Sequence, residues 1–493
     1  MKDTTKSVWI AVGLFAMAFG LRVPFRGQLP YHWDSAQFAL AVSDYNIVLG
    51  QPHAPGYFLY VMLGRLVNLV VGDPHASLVW ISVVAGSALV SVLYWLGCAL
   101  VDRRTGVIAA LLVMTSPQTW FHSEVALTYI VDALFVSLTV LICWRAMQRG
   151  GTWGDAVVIG AFLAVVGGVR QQSAPALLPV VLYTMWRFER DRLAKLAVVA
   201  AVALALGLAW FVPMVTMTGG LNAYLEIVRR HIAFNAPATL AGGGLDALAW
   251  NIFFVGLYCA NGLMLAAVVL TVVVVRRAWR MDRRPFQLLI VWVGSMFLMA
   301  TVVGFTKQPG YVLNFLPGLL LLTAMILGRM PWPVTVLICA VNVAAFVAWP
   351  PAWDRVFFGT ARTAREICER DRQLRVTAAA IRSQRAPGDT VICHACEFLQ
   401  FGLRQFQFVL PEFDQYQLQI DPTMLTPPGS PMVAVRDGKL RFVSGLDWDG
   451  KRRVLLIIPP GLSLKIFEHY RDVREAQPLP GAQGMVYKLP VSP

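Results

Sequence analysis

Charge is what this sequence has least of: 14% of its 493 residues are Asp, Glu, Lys or Arg, where soluble domains carry about a quarter. That scarcity argues against an ordinary soluble enzyme. Several chemistry-bearing motifs are missing as well. There is no phosphate-binding P-loop, no dinucleotide glycine motif, no His-Glu-x-x-His and no Gly-x-Ser-x-Gly, so ATP hydrolysis, hydride transfer and serine-hydrolase chemistry have no support. The seven cysteines lie mostly isolated in apolar runs and do not form a disulfide framework. Cys393-His394-Ala395-Cys396 stands without a second pair, so a four-ligand zinc site does not follow. A local bridge and two free thiols both remain open there. No internal repeat or low-complexity tract occurs.

What is present is apolar. Hydrophobic residues make up 57% of the chain and mean hydropathy is +0.60. The formal net charge is +14, but the basic residues fall in short loops between apolar segments. That distribution speaks for membrane orientation rather than a nucleic-acid partner. A spanning helix needs about 20 apolar residues, and eleven candidates follow: 7–24, 77–100, 106–120, 127–147, 156–169, 174–186, 195–217, 248–275, 286–304, 312–328 and 332–350. The first is read as an uncleaved anchor because apolar sequence continues past Ala16-Met17-Ala18 to Phe25. The stretch from Tyr57 to Val71 is short and carries Arg65, so it is read as a helix lying in the membrane interface. With it flat, Asp102-Arg103-Arg104, the Arg145–Arg149 end, Arg187–Lys195, Arg276–Arg284 and Arg329 all share the cytoplasmic side with the N-terminus.

The expected architecture is thus a polytopic α-helical membrane domain over 1–350. A long outer loop with interfacial helices occupies 26–76, and a small soluble α/β domain over 351–493 follows on the outer side. In that tail, Arg362 to Arg385 reads as one helix ended by Ala386-Pro387-Gly388. Thr390–Cys393, Met432–Val435 and Val454–Ile458 read as strands.

Ionisable groups at membrane depth cost several kcal/mol unless paired or wetted, which makes each a functional candidate. The outer side holds an unusual number. Tyr31-His32-Trp33-Asp34-Ser35, Asp44 and Gln51-Pro52-His53-Ala54-Pro55-Gly56-Tyr57 lie in the first loop. His122 and Glu124 lie in the next outer turn, with Asp132 about two turns further on. Arg170-Gln171-Gln172 and Lys307-Gln308-Pro309-Gly310-Tyr311 complete the set. Carboxylates beside cations at a lipid interface suit an anionic lipid head group and a neutral polyol. Asp34 also fits a helix cap, because Asp34-x-x-Gln37 precedes an apolar run, and one carboxylate can serve both ends. On a continuous helix Glu124 and Asp132 would stand roughly 80° apart. Glu124 also fits a structural pairing with His122 or an arginine. Lys307 also fits a snorkelling role, and Arg65 one against lipid phosphates.

These residues resemble the GT-C glycosyltransferases, in particular the branch of protein O-mannosyltransferases and the lipid A aminoarabinose transferase (glycosyltransferase family 39-like). The matching elements are an acid just after the first span (Asp34), a long outer loop with a Pro52-x-x-Pro55-Gly56-Tyr57 turn, and an Asp102-Arg103-Arg104 turn. A span ending in Ser116-Pro117-Gln118-Thr119-Trp120-Phe121 follows, then Asp132 in the next one and Lys307-Gln308-Pro309-Gly310-Tyr311 late in the chain. The resemblance covers roughly 7–330. Asp34-Ser35 stands where relatives have Asp-Glu or Asp-x-Asp, and His53-Ala54-Pro55 where some have Lys-Pro-Pro.

What the resemblance implies is an inverting transfer of sugar from a polyprenyl-phosphate donor to an acceptor hydroxyl on the periplasmic face of a bacterial inner membrane. The acceptor is a glycan, lipid or protein. Asp34 is the expected general base, with Asp132 beside it among the catalytic candidates. Lys307, Arg170 and Tyr311 are expected at the donor phosphate, and His53, Glu124, His122, Asp44 and Gln171 at the substrates. The residues fix no cofactor and leave a divalent metal open. A transporter or flippase of lipid-linked sugars is the alternative; such proteins commonly show repeated halves and helices broken at mid-membrane, which this sequence does not plainly have. A sensor or scaffold is the weaker rival, since eleven spans with buried acids exceed what an anchor needs.

Overall fold

The computed structural model describes residues 2–277, 283–303, 308–348, 362–394, 401–417, 432–443, 453–458, 476–482 and 485–489. The first helices in chain order are α1 (Lys2–Arg22), α2 (Trp33–Ser43), α3 (Phe58–Val71), α4 (Pro74–Leu100), α5 (Arg103–Thr115) and α6 (Pro117–His122). Next come α7 (Tyr129–Gln148), α8 (Trp153–Val169), α9 (Ser173–Trp186), α10 (Arg192–Met217), α11 (Leu221–Asn235) and α12 (Leu240–Leu263). The remainder are α13 (Leu265–Arg277), α14 (Arg283–Val302), α15 (Leu316–Leu327), α16 (Trp332–Ala348), α17 (Ala364–Gln384) and α18 (Leu403–Val409).

The chain divides into two compact units. One comprises Met1–Arg26, Ala54–Gly72 and Ser77–Glu366 and is helical throughout its described residues. Among the described residues, six helices are long and apolar enough to cross a membrane, and five shorter apolar ones accompany them. This is a multi-pass membrane protein. Helices stand at each of the eleven expected places, with two differences. The 106–120 run is broken between α5 and α6, where Ser116 takes extended dihedrals before Pro117; a residue ahead of proline is driven out of the helical region. The freed Ser116 hydroxyl donates to the Gly262 carbonyl at 2.7 Å. The 248–275 run is broken at Met264, which has φ +49; a left-handed conformation is uncommon for a residue with a side chain. The stretch 218–247 between two of the expected spans also holds a helix, α11.

Helix ends follow local chemistry. The Asp102 carboxylate accepts from Thr105 N at 2.7 Å and starts α5. Thr152 and Asp155 form a reciprocal capping box at the start of α8. Gly168 admits the side chain of Leu59, because a Cβ there would lie 2.4 Å from it. This brings α3 close to the end of α8.

The second unit comprises Gly27–His53, Asp73–Ala76 and Ile367–Pro493. Its strands are β1 (Thr390–His394), β2 (Asp414–Gln417), β3 (Met432–Arg436), β4 (Lys439–Val443), β5 (Arg453–Ile457), β6 (Gln477–Pro478) and β7 (Val486–Leu489). They form one sheet of order β4-β3-β2-β1-β5-β7-β6. The centre is parallel, β1 pairing with β2 and β5, and the flanks are antiparallel. The β3–β4 hairpin turns through Asp437 and Gly438, both at positive φ, as a two-residue hairpin loop favours. Leu374 and Ile381 of α17 pack with Ile392, Phe406, Leu455 and Ile457 in the core. The expected tail helix and all three expected strands are present, their ends shifted by a residue or two.

The isolated cysteine pair falls at the end of β1. Cys393 and His394 are buried in the sheet, while Cys396 lies outside the described residues. His394 donates from Nε2 to Gln415 Oε1 at 2.9 Å, and Gln415 in turn donates to the Leu410 carbonyl at 2.8 Å. Burial pushes the His394 pKa down to about 4, partly offset by the Gln415 contact. The folded unit therefore holds His394 neutral while the unfolded chain takes up a proton below about 6.5. Stability from this group is present above that value and is lost as pH falls toward about 4. A His394→Gln variant is expected to flatten the fall in unfolding temperature between those two pH values. An unchanged slope would remove His394 as its source.

Candidate active site

Two clusters collect most of the candidate residues, one in each unit. In the helical unit, α8 ends at Val169 and α9 starts at Ser173, so residues 170–172 form a short connector. Arg170 there is extended, its N–H still closing α8 onto the Val166 carbonyl at 2.8 Å. Arg170 is 3% exposed, a depth at which a charge needs compensation. The compensation is aromatic and polar. The Tyr129 ring centroid lies 4.3 Å and the Tyr311 centroid 4.5 Å from the guanidinium carbon, and ring faces attract cations at such distances. Nη1 donates to Thr128 Oγ1 at 3.0 Å. With its amide oxygen turned inward, Gln172 accepts from Nε and Nη2, each at 3.0 Å. Arginine has five N–H donors, so these contacts leave capacity for an anion.

Asp132 lies in the first turn of α7 and accepts from Ser173 Oγ at 2.7 Å through Oδ2. Its Oδ1 has no hydrogen-bond partner, and its charge interacts with that of Arg170. The Tyr129 ring lies 5.6 Å from that of Tyr311, tilted by 57°, and meets the His122 ring edge-on at 5.5 Å. His122 itself donates from Nδ1 to the Gln118 carbonyl at 2.8 Å. Gln171 donates to the Pro55 carbonyl at 3.2 Å, as does the Tyr224 hydroxyl, which fixes the chain just before α3. Arg170, Tyr311, Asp132, His122 and Gln171 are thus brought together.

Glu124 stands in the expected turn and not on a continuous helix. It lies in the 123–128 turn between α6 and α7 rather than on one helix with Asp132, so the 80° relation does not apply. It is fully buried, neither carboxylate oxygen has a hydrogen-bond partner, and its nearest countercharge is Arg22, not His122. Burial pushes its pKa well above the ordinary carboxylate range, against the pull of Arg22. Arg22, also fully buried and held to the Ala18 carbonyl at 3.0 Å, went unassigned in the sequence. A cation ending the first apolar run was the available signal. Lys307 lies outside the described residues.

The second cluster is in the other unit. Sequence pattern suggested Asp34 as a helix cap, but His32 caps α2, its Nδ1 accepting the Asp34 backbone N–H at 3.2 Å. The Asp34 carboxylate is therefore left for other partners. Its oxygens stand 3.4 Å from His32 Nδ1 and 3.6 Å from His53 Nδ1. His53 also bonds Gln37 Oε1 at 2.7 Å, which leaves Asp34 between two imidazoles on a partly open surface. Asp44 does not join it. It closes the far end of α2, ten residues or about 15 Å of helix away, and its backbone carbonyl accepts from Gln51 Nε2 at 3.3 Å. Among the described residues, no three His, Cys, Asp or Glu side chains converge as a metal-ligand set.

Comparison with known proteins adds a family-model match over part of the chain and a fold. Residues 34–195 match the family model described as the protein O-mannosyl-transferase TMEM260 N-terminal domain, a span containing every candidate residue except Lys307 and Tyr311. Among solved structures, ArnT from Cupriavidus metallidurans bound to undecaprenyl phosphate is similar with a TM-score of 0.57 at 13% identity, covering 98% of each chain. The apo form of that protein gives 0.55 at 12% identity over 99% of this chain and 98% of that one. The oligosaccharyltransferase of Archaeoglobus fulgidus, tethered with an acceptor peptide, gives 0.48 at 13% identity over 82% of this chain and 63% of that one. A comparison of the sequence with curated proteins finds no match. The chain thus shares its fold with ArnT, and residues 34–195 carry the match to the O-mannosyl-transferase model.

Gly310 is what lets Tyr129 reach Arg170: a Cβ there would lie 2.2 Å from the Tyr129 ring. Gly310→Ala is expected to lower stability by roughly 1–3 kcal/mol through overpacking. Gly13→Ala, where nothing lies within 4 Å, is expected to be neutral or slightly stabilising. Thermal unfolding in detergent compares them; equal shifts would refute the close approach.

Proposed function

We propose that this chain transfers a sugar from a polyprenyl-phosphate donor to an acceptor hydroxyl, with inversion at the anomeric carbon. The supporting observation is the buried Arg170 guanidinium, braced by Tyr129 and Tyr311 inside a helical unit whose fold resembles a protein solved with undecaprenyl phosphate. A prenyl chain cannot leave the bilayer, so a site for its phosphate belongs on a membrane unit. Arg170, with Tyr311 and Lys307, binds that phosphate and stabilises the charge that grows on it as the sugar departs. Asp132, Gln171 and His122 hold and shape the same region.

Asp34 is the general base. An acceptor hydroxyl is a poor nucleophile until a carboxylate takes its proton. The proton passes to Asp34, the hydroxyl oxygen bonds to the anomeric carbon, and the bond from that carbon to the phosphate oxygen breaks with its electron pair leaving on phosphate. His53 and His32 flank the carboxylate and fix its orientation. The protein lies in a bacterial inner membrane with its N-terminus cytoplasmic and the 351–493 domain periplasmic, and its acceptor is a glycan, lipid or protein.

Asp34→Asn is expected to lower turnover by about 10²–10⁴-fold, while membrane insertion and unfolding temperature stay at wild-type values. The assay is release of polyprenyl phosphate from a panel of polyprenyl-phosphate sugars by purified protein. Normal turnover in a folded Asp34→Asn protein removes the assignment. Arg170→Lys keeps the charge but loses the planar fork and the ring stacking. It should raise the donor KM by roughly tenfold or more, and an unchanged donor KM would contradict phosphate binding at Arg170.

A further inference from the structure

The residues that follow the last membrane helix have no role in the chemistry above, yet several of their buried polar groups are spent on the loop that carries Asp34. The Asp371 carboxylate on α17 accepts from two successive backbone N–H groups, Gln28 at 2.7 Å and Leu29 at 3.0 Å. The neighbouring Arg370 stacks its guanidinium 3.9 Å from the Tyr31 ring centroid and donates to the Tyr31 carbonyl at 3.1 Å. On α18, Gln405 donates to the Pro30 carbonyl at 2.7 Å and is itself oriented by the Phe401 N–H. Arg404 donates to the Leu49 carbonyl, and Gln407 to Gln51 Oε1 at 3.3 Å.

Arg404, Gln405 and Gln407 are each no more than 2% exposed. Polar side chains so deep survive only if hydrogen-bonded, and these find partners in the loop. Apolar contacts repeat the pattern: Leu29 packs on the core beneath the sheet, and Leu49 packs with Leu403 and Val435. Gly50 is at φ +67, and a Cβ there would lie 2.9 Å from Arg404 Nη2. Both ends of the segment 28–51 are thereby pinned. α2, with Asp34 in its first turn, is the helix suspended between the pins and packs on α18.

We propose that α17 and α18 are a positioning device for the base, with Asp371 and Arg404 as positioning residues that set the place of Asp34 through the backbone at 28–29 and 49. This rests on Asp34 being the base. A base displaced by about 1 Å costs on the order of a hundredfold in rate, so loosening either pin acts on turnover rather than on donor affinity.

The test uses the full-length protein in lipid nanodiscs, with Asp371→Ala, Arg404→Ala, Arg404→Lys and the milder Gln407→Ala. Two quantities are read: hydrogen exchange in residues 33–43, and kcat against donor KM with the polyprenyl-phosphate sugar that the wild type turns over. The alanine variants at 371 and 404 are expected to exchange faster in 33–43 and to lose roughly ten- to a hundredfold in kcat, with donor KM within about twofold of wild type. Arg404→Lys, which keeps a donor for the Leu49 carbonyl, should recover part of both losses. If the alanine variants do not fold, Gln407→Ala should show the same two changes in smaller measure. Unchanged exchange in 33–43 overturns the proposal, as does faster exchange with unchanged kcat in a protein whose Asp34→Asn variant is inactive. An active Asp34→Asn protein overturns the base instead, and exchange alone then decides whether the tail holds the loop.

Discussion

A full positive charge held inside an apolar helix bundle is the constraint around which this membrane unit is arranged. Arg170 is buried, and a charge at such depth destabilises the fold unless its surroundings replace water. Two tyrosine faces, a threonine hydroxyl and a glutamine amide do so. Each demand propagates. Tyr129 must start α7, Tyr311 must arrive from a short 3-10 segment, and Gly310 must lack a side chain to let the rings meet. A cation braced by rings rather than consumed by a carboxylate salt bridge keeps its attraction for an incoming anion.

The second unit meets a different demand. A carboxylate proposed as a general base must be accessible, and it must also be held still. The loop carrying Asp34 holds a single long helix, α2, with irregular segments on both sides. Those segments are held by backbone groups bonded to Asp371, Arg370, Gln405 and Arg404. Chain order hides this partnership, for Gln28 and Asp371 stand 343 residues apart.

The sequence made the helices legible because apolar runs of membrane length have few other interpretations, and the tail elements legible through periodicity and turn residues. It made Arg170, Asp132 and Asp34 legible as well, because ionisable residues near apolar runs are costly and therefore conspicuous. What it hid were partners set by tertiary geometry. Ser173 beside Asp132, Tyr129 over Arg170 and Arg22 near Glu124 each depend on how separate helices cross. The breaks at Ser116 and Met264 differ in this respect. Pro117 announced the first, whereas nothing local announces a left-handed methionine. The capping pattern at Asp34-x-x-Gln37 misled because a histidine ring two residues earlier does the same work.

The central claim is that Arg170 holds the phosphate of a prenyl-linked donor. The most direct test is a structure of the protein in lipid with undecaprenyl phosphate added. The account predicts phosphate oxygens about 3 Å from the Arg170 guanidinium, with Tyr129 and Tyr311 still flanking it. A well-resolved phosphate bound elsewhere, with Arg170 enclosed by protein groups alone, would contradict it.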